Sequence, residues 1–106
     1  MRVTYISSDG VATTVEAQDG QSMMETAVAN GVPGIIGECG GSATCGTCHV
    51  YVDAAFIERL PPPSDVEDDL LDCTAAERQP NSRLACQIKA SPDLDGLVLN
   101  TPGRQR

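Results

Sequence analysis

Aromatic side chains and basic residues are scarce in this chain of 106 residues. Only 3% of the residues are aromatic and tryptophan is absent, so the core has to be built from aliphatic side chains and methionine. Lysine and arginine number 7 against 15 aspartates and glutamates, which gives a formal net charge of -8. Nucleic acid and anionic membranes would repel such a chain, and we expect neither as a partner; a basic protein surface fits better.

Long hydrophobic runs are also missing. No stretch approaches the roughly 20 apolar residues that are needed to cross a bilayer. The N-terminus also lacks the charged segment followed by an apolar segment that is typical of a secretory signal. These absences predict a cytoplasmic protein without membrane association. The length suits one compact domain and is too short for two. We therefore predict a single domain over residues 1–106, and we expect a monomer.

Short strand and helix patterns follow one another irregularly along the chain. Alternating apolar residues on both sides of Ser8-Asp9-Gly10 predict an antiparallel hairpin. Ser22 and Glu25 have the spacing of a capping box, and two methionines at helical spacing behind them are interpreted as core filler. Further strands are predicted over residues 49–52 and 97–100. Strands in hairpins with irregularly placed helices indicate an α+β domain.

An acidic helix is predicted after a short helix over residues 53–59 and a run of prolines. Ser64 and Glu67 repeat the capping pattern, and an inner stripe of Val66, Leu70 and Leu71 should face the core. The outer face then carries Asp65, Glu67, Asp68, Asp69 and Asp72. Asp72 lies near the end of this helix, where a carboxylate opposes the dipole at a cost of about 0.3 to 1 kcal/mol. We interpret that cost as a weak indication of a binding partner.

Five cysteines in a chain without a signal sequence cannot form a closed disulfide set and point instead to metal or redox chemistry. Cys39, Cys45 and Cys48 are separated by five and two residues in a stretch of small residues, and Cys86 is predicted on the inward side of a later strand. Iron-sulfur clusters need four thiolates, and a glycine-rich loop lets backbone N–H groups approach the sulfurs. Structural zinc sites usually use two compact cysteine pairs. The spacing favours iron and sulfur, with a zinc-stabilised binding module as the alternative.

At these residues the sequence resembles the adrenodoxin-like 2Fe-2S ferredoxins. Their pattern is C-x5-C-x2-C followed by a distant cysteine in an Arg-Leu-x-Cys-Gln context, which residues 83–87 reproduce. The first gap of five separates this pattern from the plant type, where it is four. The resemblance implies a β-grasp fold with a mixed sheet, a packed helix and a cluster-binding loop. It also implies one-electron transfer without catalysis, and a 2Fe-2S cluster held by Cys39, Cys45, Cys48 and Cys86.

The same resemblance implies redox partners. Bacterial members of this kind serve monooxygenases, so we expect electrons to come from an NAD(P)H-dependent flavin ferredoxin reductase and to go to a cytochrome haem-thiolate monooxygenase. A ferredoxin for iron-sulfur cluster assembly would have the same ligands and is an alternative. In the family the acidic helix docks basic partners, which assigns docking to Asp65, Glu67, Asp69 and Asp72, while Val66 departs from the acidic pattern. Glu38, beside the first ligand, is expected near the electron exit.

Three remaining features are interpreted as structural. His49 is the one histidine of the chain, and a Rieske-like centre needs two; the resemblance implies a hydrogen-bonding brace between the cluster loop and the acidic segment. Cys73 has no nearby cation to lower its pKa and is predicted to be an inert, partly buried thiol. Residues 101–106 are predicted to form a loose tail.

Overall fold

The computed structural model of the chain describes residues 1–32, 34–35, 47–103 and 105. Within these ranges five strands form one mixed sheet in the order β2-β1-β5-β3-β4, in which β1 and β5 are parallel and the other neighbours antiparallel. None of the helices in these ranges is long and apolar enough to cross a bilayer. The strands are β1 (Arg2–Ile6), β2 (Ala12–Glu16), β3 (His49–Val52), β4 (Ser82–Leu84) and β5 (Leu97–Asn100).

Three short helices and two 3-10 turns connect these strands. The helices are α1 (Met23–Ala29), α2 (Ala54–Ile57) and α3 (Asp65–Leu71), and the 3-10 turns cover Ala85–Gln87 and Pro92–Leu94. Strands and helices do not alternate regularly, so the predicted α+β class is confirmed. The predicted short helix after residue 53 is also confirmed, with the Asp53 side chain accepting a hydrogen bond from the Ala55 N–H.

The predicted N-terminal hairpin is confirmed. Val3 and Tyr5 are buried and pair with β2, whose residues face them across the antiparallel ladder. Gly10 adopts φ 89° in the connecting turn and donates its N–H to the Ser7 carbonyl. This left-handed conformation favours glycine and explains why the chain reverses there.

Helix α1 packs on the sheet through its first turn. The Ser22 hydroxyl accepts a hydrogen bond from the Glu25 N–H at 3.0 Å, which confirms the predicted cap. Met23 and Met24 are buried, as expected of core filler. The Tyr5 hydroxyl donates to the Met23 carbonyl at 2.6 Å and ties the helix to β1. Burial raises the pKa of Tyr5, so this hydroxyl keeps its proton.

The core is aliphatic, as the lack of aromatic residues predicts. Strand β5 lies between β1 and β3 in the sheet, and its residues Leu97 and Leu99 are buried while Val98 and Asn100 are half-buried. Burying such side chains stabilises the fold by about 1.5 to 3 kcal/mol each relative to exposure. The fully buried aliphatic members on the strands and α3 are Val3, Val50, Val52, Leu71, Leu84, Leu97 and Leu99.

The predicted orientation of the acidic helix is partly wrong. Its cap is confirmed, because the Ser64 hydroxyl accepts from the Glu67 N–H at 3.2 Å, and Leu71 is buried as expected. Val66, however, is 58% exposed, whereas Glu67 is only 1% exposed. Glu67 and Leu71 are four residues apart and share the inner face. The carboxylate can lie there because Arg83 of β4 pairs with it.

The predicted strand around Cys86 is also wrong. Pairing in β4 ends at Leu84, and the chain then turns through the 3-10 turn Ala85–Gln87. Leu84 and Cys86 are buried as the alternation predicts, but Ala85 between them is buried too, which a half-exposed strand would not allow. The turn places Cys86 inward without continuing the strand.

The end of the chain is not a loose tail in the part that the structure describes. Thr101 donates its N–H to the Ile6 carbonyl at 2.8 Å, next to the end of β1. Thr101, Pro102 and Gln105 are buried. The prediction from composition is therefore wrong here, because these three residues pack against the sheet.

Candidate iron-sulfur site

Two of the four predicted ligands lie in the described residues, and the sheet brings them to one end. Cys48 directly precedes β3, and Cys86 lies in the 3-10 turn after β4. The register pairs His49 with Leu84, and the Ala85 N–H donates to the Cys48 carbonyl at 2.9 Å. Because this pairing is antiparallel, the start of one strand meets the end of the other.

Cys39 and Cys45, the two other predicted ligands, lie outside the described residues, as does Glu38. The four-cysteine ligand set therefore stays a prediction, in which the structure places two members next to each other. Among the described residues, no disulfide joins Cys48 to Cys86.

The surroundings of Cys86 fit a metal-bound thiolate. Cys48 and Cys86 are each 1% exposed, and the Gln87 side chain places its Nε2 3.4 Å from the Cys86 Sγ. A buried thiolate is costly unless a metal and N–H donors neutralise it, and iron-sulfur clusters provide and require both. The buried sulfurs and the amide donor therefore suit a cluster whose inorganic core these cysteines would hold.

His49 is a buried brace beside Cys48. Its Nε2 is 2.8 Å from the Ser82 Oγ in β4, and its ring makes an edge contact with Tyr51 at a centroid distance of 4.7 Å. The Tyr51 hydroxyl donates to the Glu77 carbonyl at 2.7 Å, in the segment after α3. His49 makes a bracing hydrogen bond as predicted, but the predicted tie to the acidic segment is wrong, because the ring bonds to Ser82 of β4.

The protonation of His49 follows from its burial. Loss of solvation, with a smaller contribution from the Arg78 charge, lowers the pKa of His49 to about 4, so the ring is neutral at neutral pH. Its Nδ1 has no hydrogen-bond partner in the described part of the chain. A proton on Nδ1 would be a buried N–H without an acceptor, whereas a proton on Nε2 can be donated to the Ser82 Oγ. The tautomer with the proton on Nε2 is therefore favoured. The neutral ring therefore holds β3 to β4 through this hydrogen bond and carries no extra proton to transfer at neutral pH.

A buried ion pair ties the acidic helix to the strand that leads to Cys86. Arg83 donates from Nε to Glu67 Oε2 at 2.7 Å and from Nη2 to Oε1 at 3.0 Å. The Leu84 N–H also donates to Glu67 Oε2, at 2.9 Å, and Arg83 Nη1 donates to the Pro61 carbonyl at 2.7 Å. All three N–H groups at the carboxylate satisfy its charge. The sequence carries one signal for this pair, since Arg83 belongs to the Arg-Leu-x-Cys-Gln context.

The exposed acidic residues of α3 fall into two groups. Asp68 and Asp72 share Arg78, whose Nη2 and Nη1 lie 2.6 Å and 2.8 Å from their carboxylate oxygens. These hydrogen bonds, Asp68 first, raise the pKa of Arg78. Asp72 is therefore compensated within the chain, and its position no longer argues for a partner. Asp65 and Asp69 are exposed and form no ion pair with any residue that the structure describes.

Cys73 and Gln105 differ from what the sequence predicts for them. Cys73 is exposed, so the prediction of a partly buried thiol is wrong. Gln105 was assigned to a loose tail, yet its side-chain amide bonds to both backbone groups of His49 and to the Gly34 carbonyl. No pattern in the sequence marks this glutamine, because its partners are backbone atoms far away in the chain.

Comparison with known proteins identifies the family. Residues 6–91 match the family described as 2Fe-2S iron-sulfur cluster binding domain. Putidaredoxin from Pseudomonas putida is 49% identical over 104 residues, which cover 98% of this chain and 97% of that protein. The crystal structure of a ferredoxin from Rhodopseudomonas palustris HaA2 is 53% identical and superposes with a TM-score of 0.98 over all of both chains.

Putidaredoxin has also been solved with a partner. Putidaredoxin in the covalent putidaredoxin reductase-putidaredoxin complex is 47% identical, with a TM-score of 0.96 over 98% of this chain and 100% of that one. These matches confirm the β-grasp fold and the 2Fe-2S cluster as cofactor, and they speak against a zinc-stabilised module. The chain belongs to the 2Fe-2S iron-sulfur cluster binding domain family, as an adrenodoxin-like ferredoxin similar to putidaredoxin, and is an electron-transfer protein rather than an enzyme.

Proposed function

We propose that this ferredoxin takes one electron at a time from an NAD(P)H-dependent flavin ferredoxin reductase and delivers it to a cytochrome haem-thiolate monooxygenase in the cytoplasm. The observation that carries the proposal is the similarity to putidaredoxin over 98% of the chain. A solved complex of that relative contains putidaredoxin reductase. A flavin reductase is accordingly the electron donor that we propose here.

The proposal assigns the cluster to Cys39, Cys45, Cys48 and Cys86. When bound, a 2Fe-2S cluster supplies one-electron redox chemistry. The described residues position two of the proposed ligands, Cys48 and Cys86, at one end of the sheet. Burial of these cysteines keeps water from their sulfurs. Gln87 adds an N–H donor at one of them. Such donors and solvent exclusion tune the reduction potential.

Docking is proposed for the exposed carboxylates of α3, with Asp65 and Asp69 as the principal members and Asp72 as a secondary one because it shares Arg78. Glu67 is not included, since its buried carboxylate pairs with Arg83. Val66 lies between the two principal carboxylates and is 58% exposed, so it offers an apolar contact. A carrier must release its partner, so the interface should stay below ~1,200 Å². Glu38 is retained as a proposed contact near the electron exit.

The test begins with anaerobic purification and analysis of iron and acid-labile sulfide. We expect two of each per chain, and size-exclusion chromatography should show a monomer. A chain with zinc and no sulfide would contradict the proposal. Cys86→Ser should lose the visible iron-sulfur bands, whereas Gln18→Ala, a change at an exposed residue of the first loop after β2, should keep them.

Partner assignment is tested by turnover. The purified ferredoxin is combined with a flavin reductase, NADH or NADPH, and a bacterial haem-thiolate monooxygenase, and product formation is followed. We expect product only when all components are present. A ferredoxin that the reductase reduces, that supports no monooxygenase and that drives cluster formation on a scaffold protein would establish the cluster-assembly alternative instead.

A further inference from the structure

The C-terminal segment runs from the end of β5 to the neighbourhood of Cys48. After the Thr101 N–H bonds to the Ile6 carbonyl, Thr101 and Pro102 are buried along the end of β1. This path delivers Gln105, which is 8% exposed, to the start of β3. A polar side chain buried to this degree requires hydrogen-bond partners.

Gln105 finds those partners on the backbone of His49. Its Oε1 accepts from the His49 N–H at 3.1 Å, and its Nε2 donates to the His49 carbonyl at 2.8 Å. The ladder between β3 and β5 begins only at the pair Tyr51 and Asn100, because β5 ends there. The side-chain amide therefore takes the place that a neighbouring strand would occupy beside the first residue of β3.

The second N–H of the same amide reaches another part of the chain. Nε2 also donates to the Gly34 carbonyl at 2.7 Å. An independent observation shows the same close approach: a Cβ added at Gly34 would lie 2.7 Å from the Thr101 Oγ1, and Gly34 has φ 91°. The chain at Gly34 is thus pressed directly against the C-terminal segment, in a conformation that favours glycine.

Gly34 and His49 lie on either side of the stretch of sequence that carries Cys39, Cys45 and Cys48. One buried amide group bonds to both. We propose that Gln105 is a positioning residue for the iron-sulfur site, whose side chain holds the two ends of the ligand loop at a set separation. This inference rests on the proposed four-cysteine ligand set. The bonds of Gln105 oppose any separation of Gly34 from His49, so they should slow loss of the cluster and preserve the geometry at the sulfurs.

Two variants test the role. Gln105→Leu removes all three hydrogen bonds, whereas Gln105→Glu keeps the size and the acceptor but replaces the NH2 group, the donor of two of these bonds, with one oxygen that faces both carbonyls. Gln18→Leu and Gln18→Glu make the same changes at an exposed glutamine and serve as matched controls. The holo proteins are compared by the decay of visible absorbance under an iron chelator, by the reduction potential and by the electron paramagnetic resonance of the reduced state.

We expect the cluster of both Gln105 variants to decay at least tenfold faster than wild type while the far-ultraviolet circular dichroism stays native, with a changed resonance spectrum or potential. The Gln18 variants should match wild type. Decay within twofold of wild type would overturn the inference. So would faster decay that merely follows global unfolding, with resonance spectrum and potential unchanged. Wild type is measured first: a wild-type chain without iron and sulfide would contradict the ligand set itself.

Discussion

The Gln87 side chain shows how a single residue can tune the site, because its Nε2 is 3.4 Å from the Cys86 Sγ. Reduction adds negative charge at the sulfurs, and an N–H donor stabilises that charge. Replacement by methionine, Gln87→Met, removes the donor at similar size. A hydrogen bond worth about 0.5 to 1.5 kcal/mol corresponds to roughly 20 to 60 mV for one electron, so we expect the potential to fall by that amount.

Protein-film voltammetry or a dye-mediated titration measures this shift. Gln79→Met is the control, since Gln79 is exposed and bonds to Ser82 through backbone groups: its N–H donates to the Ser82 Oγ and its carbonyl accepts from the Ser82 N–H. A potential for Gln87→Met equal to that of the control would show that this contact does not tune the cluster.

Cys73 offers a second test at the residue scale. Its thiol is exposed, while Cys48 and Cys86 are buried. An exposed cysteine that is not part of the buried pair is not expected to bind iron. Cys73→Ser is therefore expected to leave the visible absorption spectrum and the iron content unchanged. Loss of the iron-sulfur bands in this variant would overturn the ligand assignment.

At the scale of elements, the ion pair between Glu67 and Arg83 connects α3 to β4. Both side chains are buried, at 1% and 5% exposure. Removing one partner of a buried pair leaves the other charge without compensation, which typically costs about 3 to 5 kcal/mol. We expect Glu67→Gln to lower the free energy of unfolding by an amount in this range, measured by chemical denaturation of the holo protein.

The same helix supplies the control. Asp69→Asn changes a carboxylate to an amide two residues further on, at an exposed position without an ion pair among the described residues. Its effect on stability should stay within about 0.5 kcal/mol. Equal stability of the two variants would show that the buried pair does not hold the helix.

At the scale of the whole molecule, the net charge of -8 and the exposed carboxylates of α3 bear on partner encounter. Exposed charges act mainly on the association rate and are screened by salt. We expect the rate constant for reduction by the flavin reductase to fall steeply as ionic strength rises. In the double variant Asp65→Asn with Asp69→Asn, the rate at low salt should fall several-fold and its salt dependence should weaken.

Stopped-flow measurements from low to high salt test this. The control is the double variant Asp19→Asn with Glu25→Gln, which makes the same change of net charge at exposed residues of another region. If both double variants change the rate equally, net charge alone governs the encounter and α3 is not the docking surface. A wild-type rate that is independent of salt would remove electrostatic docking altogether.

Short sequence patterns predict most of the local elements and the cofactor correctly. Each of these features depends on residues that are close together in the chain, so a short pattern is enough to predict it. They are the N-terminal hairpin, the serine caps at Ser22 and Ser64, the strand over residues 49–52 and the group of closely spaced cysteines. The cysteine context likewise identified the ferredoxin family, which the comparisons confirm.

Features that depend on partners far away in the chain become visible only in the folded molecule. Glu67 faces inward because Arg83 is there to receive it, and Gln105 is buried because its bonds are to the backbone of His49 and Gly34. A buried polar group is acceptable only where its partner is fixed, and no local pattern contains that partner. The docking set predicted from the sequence therefore includes one carboxylate, Glu67, that is buried, and the bonds of Gln105 to His49 and Gly34 have no counterpart among the sequence predictions.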